Sequence, residues 1–267
     1  MAVLQQAGFR VLTSRNVTRT RGYLAGEDQE RLGGLLELLE SGARALWAVR
    51  GGYGVMRLLA SFPWETLRSW DGWIVGYSDI TALHCAAVQR FPWATVHGPM
   101  VVGLGRSEAA TKRILALVQG KIPQPVFRFG QKAVLRAGVA SGPLLGGNLS
   151  LLTSLLGTDF EPPWDGAIVA LEDVGEPGYR LDRALTQLSL AGRFGRINGL
   201  VLGRFARCAA GEPESRRLLA ERLLALTPES CPVVVGLPFG HVRRNLAFPL
   251  GKIVTLDTYR GVVRLEE

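Results

Sequence analysis

Apolar positions along the chain follow two alternating rhythms. Unbroken runs of strand length occur at residues 45–49, 74–76, 167–171, 200–202 and 233–235, and their lack of a polar face suits strands covered on both sides. Between them the apolar residues recur every three or four positions. Leu32, Leu35, Leu36 and Leu39 share one helical face behind acidic Glu27, Asp28 and Glu30, and Gly42 closes that helix. Further helices are predicted over residues 80–90, 107–119, 181–191 and 214–226. Strand followed by helix, repeated, predicts an α/β fold.

The remaining elements are smaller. Residues 2–7 read as the end of a helix closed by Gly8, and residues 9–12 as a short strand. Residues 133–139 form a strand, 142–148 a glycine-rich turn into a helix ending at Gly157, and 253–256 with 262–265 a terminal hairpin. The stretch 120–132 carries Pro123, Pro125 and Gly130 without periodicity and reads as a linker between domains 1–119 and 133–267.

The sharpest local pattern is residues 73–84, where Ile74-Val75-Gly76 turns through Tyr77-Ser78-Asp79 into Ile80-Thr81-Ala82-Leu83. A serine on such a corner stands clear of the sheet beside helix N–H groups that favour developing negative charge, so Ser78 is a candidate nucleophile. It is half of a G-x-S-x-G elbow, with Ile80 in place of the second glycine. A plain helix cap at Ser78 or Asp79 accounts for the same residues.

Three histidines are available as its base. His84 lies well over a turn along the helix that Ser78 opens, which favours a buried or capping role. His97 ends a strand before Gly-Pro and either lines a site or satisfies a carbonyl. His241 follows an apolar strand released by Pro238 and Gly240 into a loop, the usual way of presenting a base. Glu172, at the end of the run 167–171, is the first candidate to orient it, with Asp173 and Glu176 behind. An oxyanion would find the N–H of Asp79 and of Gly51 or Gly52. Those two glycines also suit a phosphate turn, but no G-x-G-x-x-G follows a strand of the first domain.

Composition narrows the classes. At 267 residues, 47% hydrophobic and 20% charged, the chain is long enough for a substantial core. Cys85, Cys208 and Cys231 are odd in number and lack a CxxC pair, and no HExxH occurs; reduced thiols in a cytoplasmic protein are expected, with no metal site. The net charge of +8 raises the question of nucleic acid. The arginines are scattered singly or in pairs, so a solvated basic surface that attracts a small acidic substrate is the better reading. No run has membrane-spanning length, and the amino terminus lacks the features of a signal peptide.

Taken in order, seven stretches resemble the LD-carboxypeptidases, serine peptidase family S66. They are Gly22-Tyr23-Leu24-Ala25-Gly26, Arg50-Gly51-Gly52-Tyr53-Gly54, residues 76–84, His97-Gly98-Pro99-Met100, Gly146-Gly147-Asn148-Leu149, Leu171-Glu172-Asp173 with residues 179–183, and Gly240-His241 followed by Asn245 and Pro249-Leu250-Gly251. The resemblance implies a triad of Ser78, Glu172 and His241, and substrate contacts at Tyr53 and Asn148. It further implies an N-terminal Rossmann-like domain, a C-terminal α/β domain, a homodimer and no cofactor. The implied substrates are peptidoglycan stem tetrapeptides, which lose their terminal D-alanine. Microcin-immunity relatives, which cleave aminoacyl adenylates, and a generic α/β serine hydrolase are the alternatives. Members of the family open with a strand of the type I-x-V-V-A-P-S, whereas this chain begins inside the helix that follows. The expectation is either a true start upstream of Met1 or a first domain short of a core strand and prone to aggregate.

Overall fold

Two sheets, stitched together by one crossing strand, organise the chain. The computed structural model describes residues 1–91, 95–208 and 213–266. The first half contains α1 (Ala2–Gln6), α2 (Asp28–Glu40), β1 (Ala45–Trp47), α3 (Trp64–Arg68), β2 (Trp73–Gly76), α4 (Thr81–Arg90), β3 (Thr95–His97) and α5 (Glu108–Val118). The second begins with β4 (Phe127–Arg128), β5 (Val134–Arg136), β6 (Val139–Asn148), α6 (Leu149–Ser154), β7 (Ile168–Val174) and α7 (Gly178–Leu190). It continues with β8 (Gly199–Ala206), α8 (Pro213–Leu226), β9 (Val233–Val234), β10 (Phe248–Leu250), β11 (Ile253–Asp257) and β12 (Val262–Leu265).

In the smaller sheet β1, β2 and β3 run parallel, and β10 arrives from the second half to pair antiparallel with β3. The larger sheet has the order β4-β12-β11-β6-β7-β8-β9-β5, with β6 to β9 parallel and the flanking strands antiparallel. The fold is therefore mixed α/β. Helix α2 starts where its acidic residues predict, closed by a capping box between Glu27 and Glu30.

The largest core cluster joins the two halves. Leu46, Ala82, Cys85 and Ala86 pack in one group with Leu145, Leu149, Leu152, Leu181 and Leu185. Small residues on α4 let it approach closely: a methyl added at Gly147, on β6, would meet the Thr81 hydroxyl at 2.5 Å. Burying each leucine of this contact contributes roughly 1.5–3 kcal/mol, which fixes the α4 corner against the end of β6.

Four local readings of the sequence are corrected. Residues 9–12 form no strand and pair with nothing among the described residues; none of their side chains is buried. Phe127 and Arg128, inside the predicted linker 120–132, form a strand of the large sheet, with Val126 and Phe127 buried. Residues 142–148 are continuous strand. Their glycines serve close approach of backbones, since a methyl at Gly142 would lie 1.9 Å from the Gly166 carbonyl oxygen and one at Gly146 2.0 Å from that of Ala170. Pro143 is tolerated because β6 changes partner there, from β11 over residues 139–143 to β7 over 144–148. Finally, β7 does not end before Glu172 but continues to Val174, with an irregularity in its pairing to β8 between Leu171 and Asp173.

Candidate active site

Strand β2 delivers Ser78 onto a tight turn ahead of α4. Its φ is +63°, a left-handed conformation that costs a non-glycine residue about 1–2 kcal/mol and therefore needs holding. Three contacts around the corner do so. Gly76 leaves room for Ile80, since a methyl there would sit 2.7 Å from the Ile80 side chain. That explains a hydrophobic residue where an elbow would carry its second glycine. The Asp79 carboxylate accepts the Val55 N–H at 3.0 Å, fastening the loop after β1 to the serine turn. Burial pushes the Asp79 pKa up, opposed by hydrogen bonds from the backbone of Val55 and Gly54 and by the Arg31 charge. The Thr81 hydroxyl accepts the Asn148 N–H at 3.0 Å, fastening α4 to β6.

Gly51 lies directly beside the serine: a methyl at Gly51 would be 3.5 Å from Ser78 Oγ and 3.1 Å from the end of Met100. Among the described residues the N–H groups of Gly51, Gly52 and Asp79 meet no acceptor. Tyr53, on the same loop, is 60% exposed and meets the exposed ring of Tyr23 edge-on at 5.6 Å.

From the opposite side come Glu172 and His241. Glu172 is fully buried in β7, and its Oε2 is 2.7 Å from His241 Nδ1. A carboxylate accepts, so opposite an ionised Glu172 the neutral imidazole carries its proton on Nδ1, which leaves Nε2 free to accept one. The loop that carries His241 is anchored by buried Phe239, which packs on Phe127 and Phe248. Gly240 is needed because a side chain there would meet Glu172 Oε2 at 2.7 Å, and its N–H donates to Asn245 Oδ1 at 3.0 Å. The Tyr77 ring lies edge-on to His241 at 4.8 Å, tying the histidine to the serine turn.

Asn148 is held by its neighbours. It is buried, donates to Asp173 Oδ1 at 2.9 Å and Glu172 Oε1 at 3.4 Å, and caps α6 with its oxygen. Asp173, once an alternative to Glu172, is occupied by Asn148 and by the Ser150 N–H and hydroxyl. Its neighbour Glu176 is paired with Arg180. Nor do the other histidines compete: His84 is buried against the Gly76 carbonyl, and His97 is buried with neither ring nitrogen bonded, stacked on Phe248. His97 therefore takes neither of the roles its position suggested.

A cavity of about 660 Å³ opens beside His241, lined in part by Tyr77, Met100, Arg106, Arg207, Arg243 and Asn245. Sequence reading missed Tyr77 and these arginines. Arg243 and Asn245 stand within four residues of His241, a signal that was available; Arg106 and Arg207 give none.

A strained serine beside free N–H groups, and a histidine, bonded to a buried carboxylate, whose ring lies against the neighbouring Tyr77, are the groups that nucleophilic hydrolysis uses, here carried by an α/β fold. Comparison with known proteins narrows the class. Residues 1–98 match the LD-carboxypeptidase N-terminal domain and residues 141–256 the LD-carboxypeptidase C-terminal domain. The probable murein peptide carboxypeptidase of Bacillus subtilis is 33% identical over 98% of this chain and 84% of its own. The murein tetrapeptide carboxypeptidase of Pseudomonas aeruginosa is 32% identical over 96% of this chain and 87% of its own. The chain belongs to the LD-carboxypeptidase family. A solved muramoyltetrapeptide carboxypeptidase from Oxalobacter formigenes superposes with a TM-score of 0.82 at 28% identity, covering 98% of this chain and 90% of that chain. The microcin C7 self-immunity protein shares the fold at 21% identity and a TM-score of 0.85, covering 100% of this chain and 89% of that chain.

Proposed function

We propose that this protein is a serine LD-carboxypeptidase that removes the terminal D-alanine from peptidoglycan stem tetrapeptides, cutting after the L centre of the diamino acid. The observation that carries the reading is the 2.7 Å bond from His241 Nδ1 to the buried Glu172, which prepares Nε2 to accept a proton. Ser78 Oγ attacks the scissile carbonyl carbon while His241 takes its proton. The oxyanion is received by the N–H of Asp79 and of Gly51 or Gly52. His241 then protonates the leaving amine and D-alanine departs. Water, activated by the same histidine, attacks the acyl carbon and frees Ser78. Tyr53 offers an exposed aromatic face to the substrate from the loop beside Ser78. The relatives named for murein peptides support the substrate class at 32–33% identity. The adenylate-cleaving alternative has weaker support, the fold and a relative 23% identical over 95% of this chain.

Ser78→Ala is expected to abolish release of D-alanine from a tetrapeptide by several orders of magnitude. If release survives that change while a chelator stops it, the assignment is wrong. A panel of tetrapeptide, simple ester and aminoacyl adenylate separates the three hydrolase readings. Three free, buried cysteines support a cytoplasmic location. The family resemblance supports a homodimer, which sedimentation equilibrium tests directly.

A further inference from the structure

Three arginines, Arg106, Arg207 and Arg243, line the cavity beside His241. Among the described residues none of them forms an ion pair. Other arginines of the chain are paired, as Arg57 is with Asp28, Arg193 with Glu161 and Arg196 with Asp165. Like charges gathered in one concavity repel, and an arriving anion relieves them.

Covalent geometry says where that anion must lie in the proposed carboxypeptidase reaction, on which this inference rests. In the residue being released, the carboxylate carbon is two bonds from the amide nitrogen, about 2.5 Å away. His241 must reach that nitrogen to protonate it, so the carboxylate is confined to the wall of the cavity nearest the imidazole. Tyr77 marks that wall, with its ring against His241. Arg106 lines the same cavity as Tyr77 and His241. Arg243 differs from Arg106 in being partly spent, since its Nε donates to the Arg106 carbonyl oxygen at 2.6 Å. That bond ties the segment carrying Arg106 to the segment carrying His241.

We infer that Arg106 receives the terminal carboxylate of the residue being released, with Arg243 holding the Arg106 segment in register with His241. A guanidinium suits this task because its planar fork matches a carboxylate with two parallel hydrogen bonds. The enzyme then selects free carboxyl termini by charge and shape at one side chain.

The test is binding to Ser78→Ala protein, measured by calorimetry with a stem tetrapeptide and with the same peptide amidated at its carboxyl terminus. The free acid is expected to bind about 100-fold more tightly than the amide. Adding Arg106→Gln should reduce that preference to a few-fold while leaving affinity for the amide unchanged, and Arg106→Lys should restore part of it. The inference is overturned if the preference survives Arg106→Gln, if acid and amide weaken equally, or if neither peptide binds. Turnover by the Ser78 enzyme is scored separately: no release of D-alanine alongside an intact, Arg106-dependent acid preference would refute the proposed reaction and leave the subsite standing.

Discussion

Replacing Glu172 by glutamine tests the orientation of His241 with little change of shape, because it exchanges an acceptor-only carboxylate for a neutral amide that carries one acceptor and one donor group. In the native site Oε2 accepts from His241 Nδ1 at 2.7 Å and Oε1 accepts from Asn148 Nδ2 at 3.4 Å. Both partners donate, and glutamine has one acceptor and one donor to offer them. If the amide oxygen faces His241, the amide nitrogen faces the Asn148 nitrogen. Asn148 cannot turn over to relieve this, since its nitrogen also donates to Asp173 at 2.9 Å and its oxygen caps α6. The amide must therefore turn its nitrogen to His241, which forces Nδ1 to accept and moves the imidazole proton to Nε2. A histidine in that tautomer cannot take the serine proton.

The expected loss in kcat is about 10³- to 10⁴-fold, the size associated with a wrong-tautomer histidine in a serine triad, with KM little changed. The fold should survive, because a buried charge is replaced by a neutral group of equal volume. Stopped-flow or discontinuous assay of D-alanine release, with thermal melting as the control for folding, measures both. Retention of kcat within about tenfold in a well-folded Glu172→Gln protein would refute the argument that this carboxylate sets the tautomer.

Gly51→Ala should melt close to the parent, because its nearest contacts are the flexible end of Met100 at 3.1 Å and Ser78 at 3.5 Å, yet lose most of its activity, since the methyl enters the space beside Oγ where the carbonyl must sit. Asp79→Asn keeps an acceptor for the Val55 N–H and removes a buried carboxylate whose pKa is raised by burial. The native protein loses stability as pH rises from the ordinary 3.8 through the raised value, so urea denaturation should show the variant at least as stable at pH 7 and its relative advantage shrinking toward pH 4. Burial holds the His84 pKa near 4 and that of His97 well below its usual 6.5, so the unfolded chain takes up protons that the native one refuses. Stability is then complete above about pH 6.5 and falls on acidification, by about 3 kcal/mol at pH 4 from His84 alone; a urea midpoint that stays flat between pH 7 and 5 would contradict this.

The parts of this fold that a reader of the sequence can anticipate are those decided within one element. The run 167–171 is apolar on both faces and becomes a strand covered on both sides; Ser78 stands between a strand and a helix and lands on a left-handed corner. What fails is whatever depends on the neighbouring strand. Gly142-Pro143 carries every local mark of a turn, and only the exchange of β11 for β7 as partner makes it strand. Glu172 looks like a residue emerging from a strand end, but it pairs with Asn148 of β6 while Asp173 and Val174 continue along β8, so the strand runs past it and Glu172 is buried.

The same distinction separates polar residues that support the site from those left open to a ligand. Asn148 and Arg106 are both polar residues near recognisable motifs, and nothing in their local sequence says which is spent. Asn148 sits where β6 ends beside β7, so Asp173 and Glu172 consume its amide and it becomes part of the frame. Arg106 sits on a segment whose carbonyl is taken by Arg243 while its own guanidinium meets no carboxylate among the described residues. Hydrogen-bonding capacity left unused inside a concavity beside His241 is a tertiary property, created when two distant loops are brought together and their internal partners counted off. A substrate contact can be argued only after that count: the amide of Asn148 is taken up by Asp173 and Glu172, whereas the guanidinium of Arg106 is left without a carboxylate.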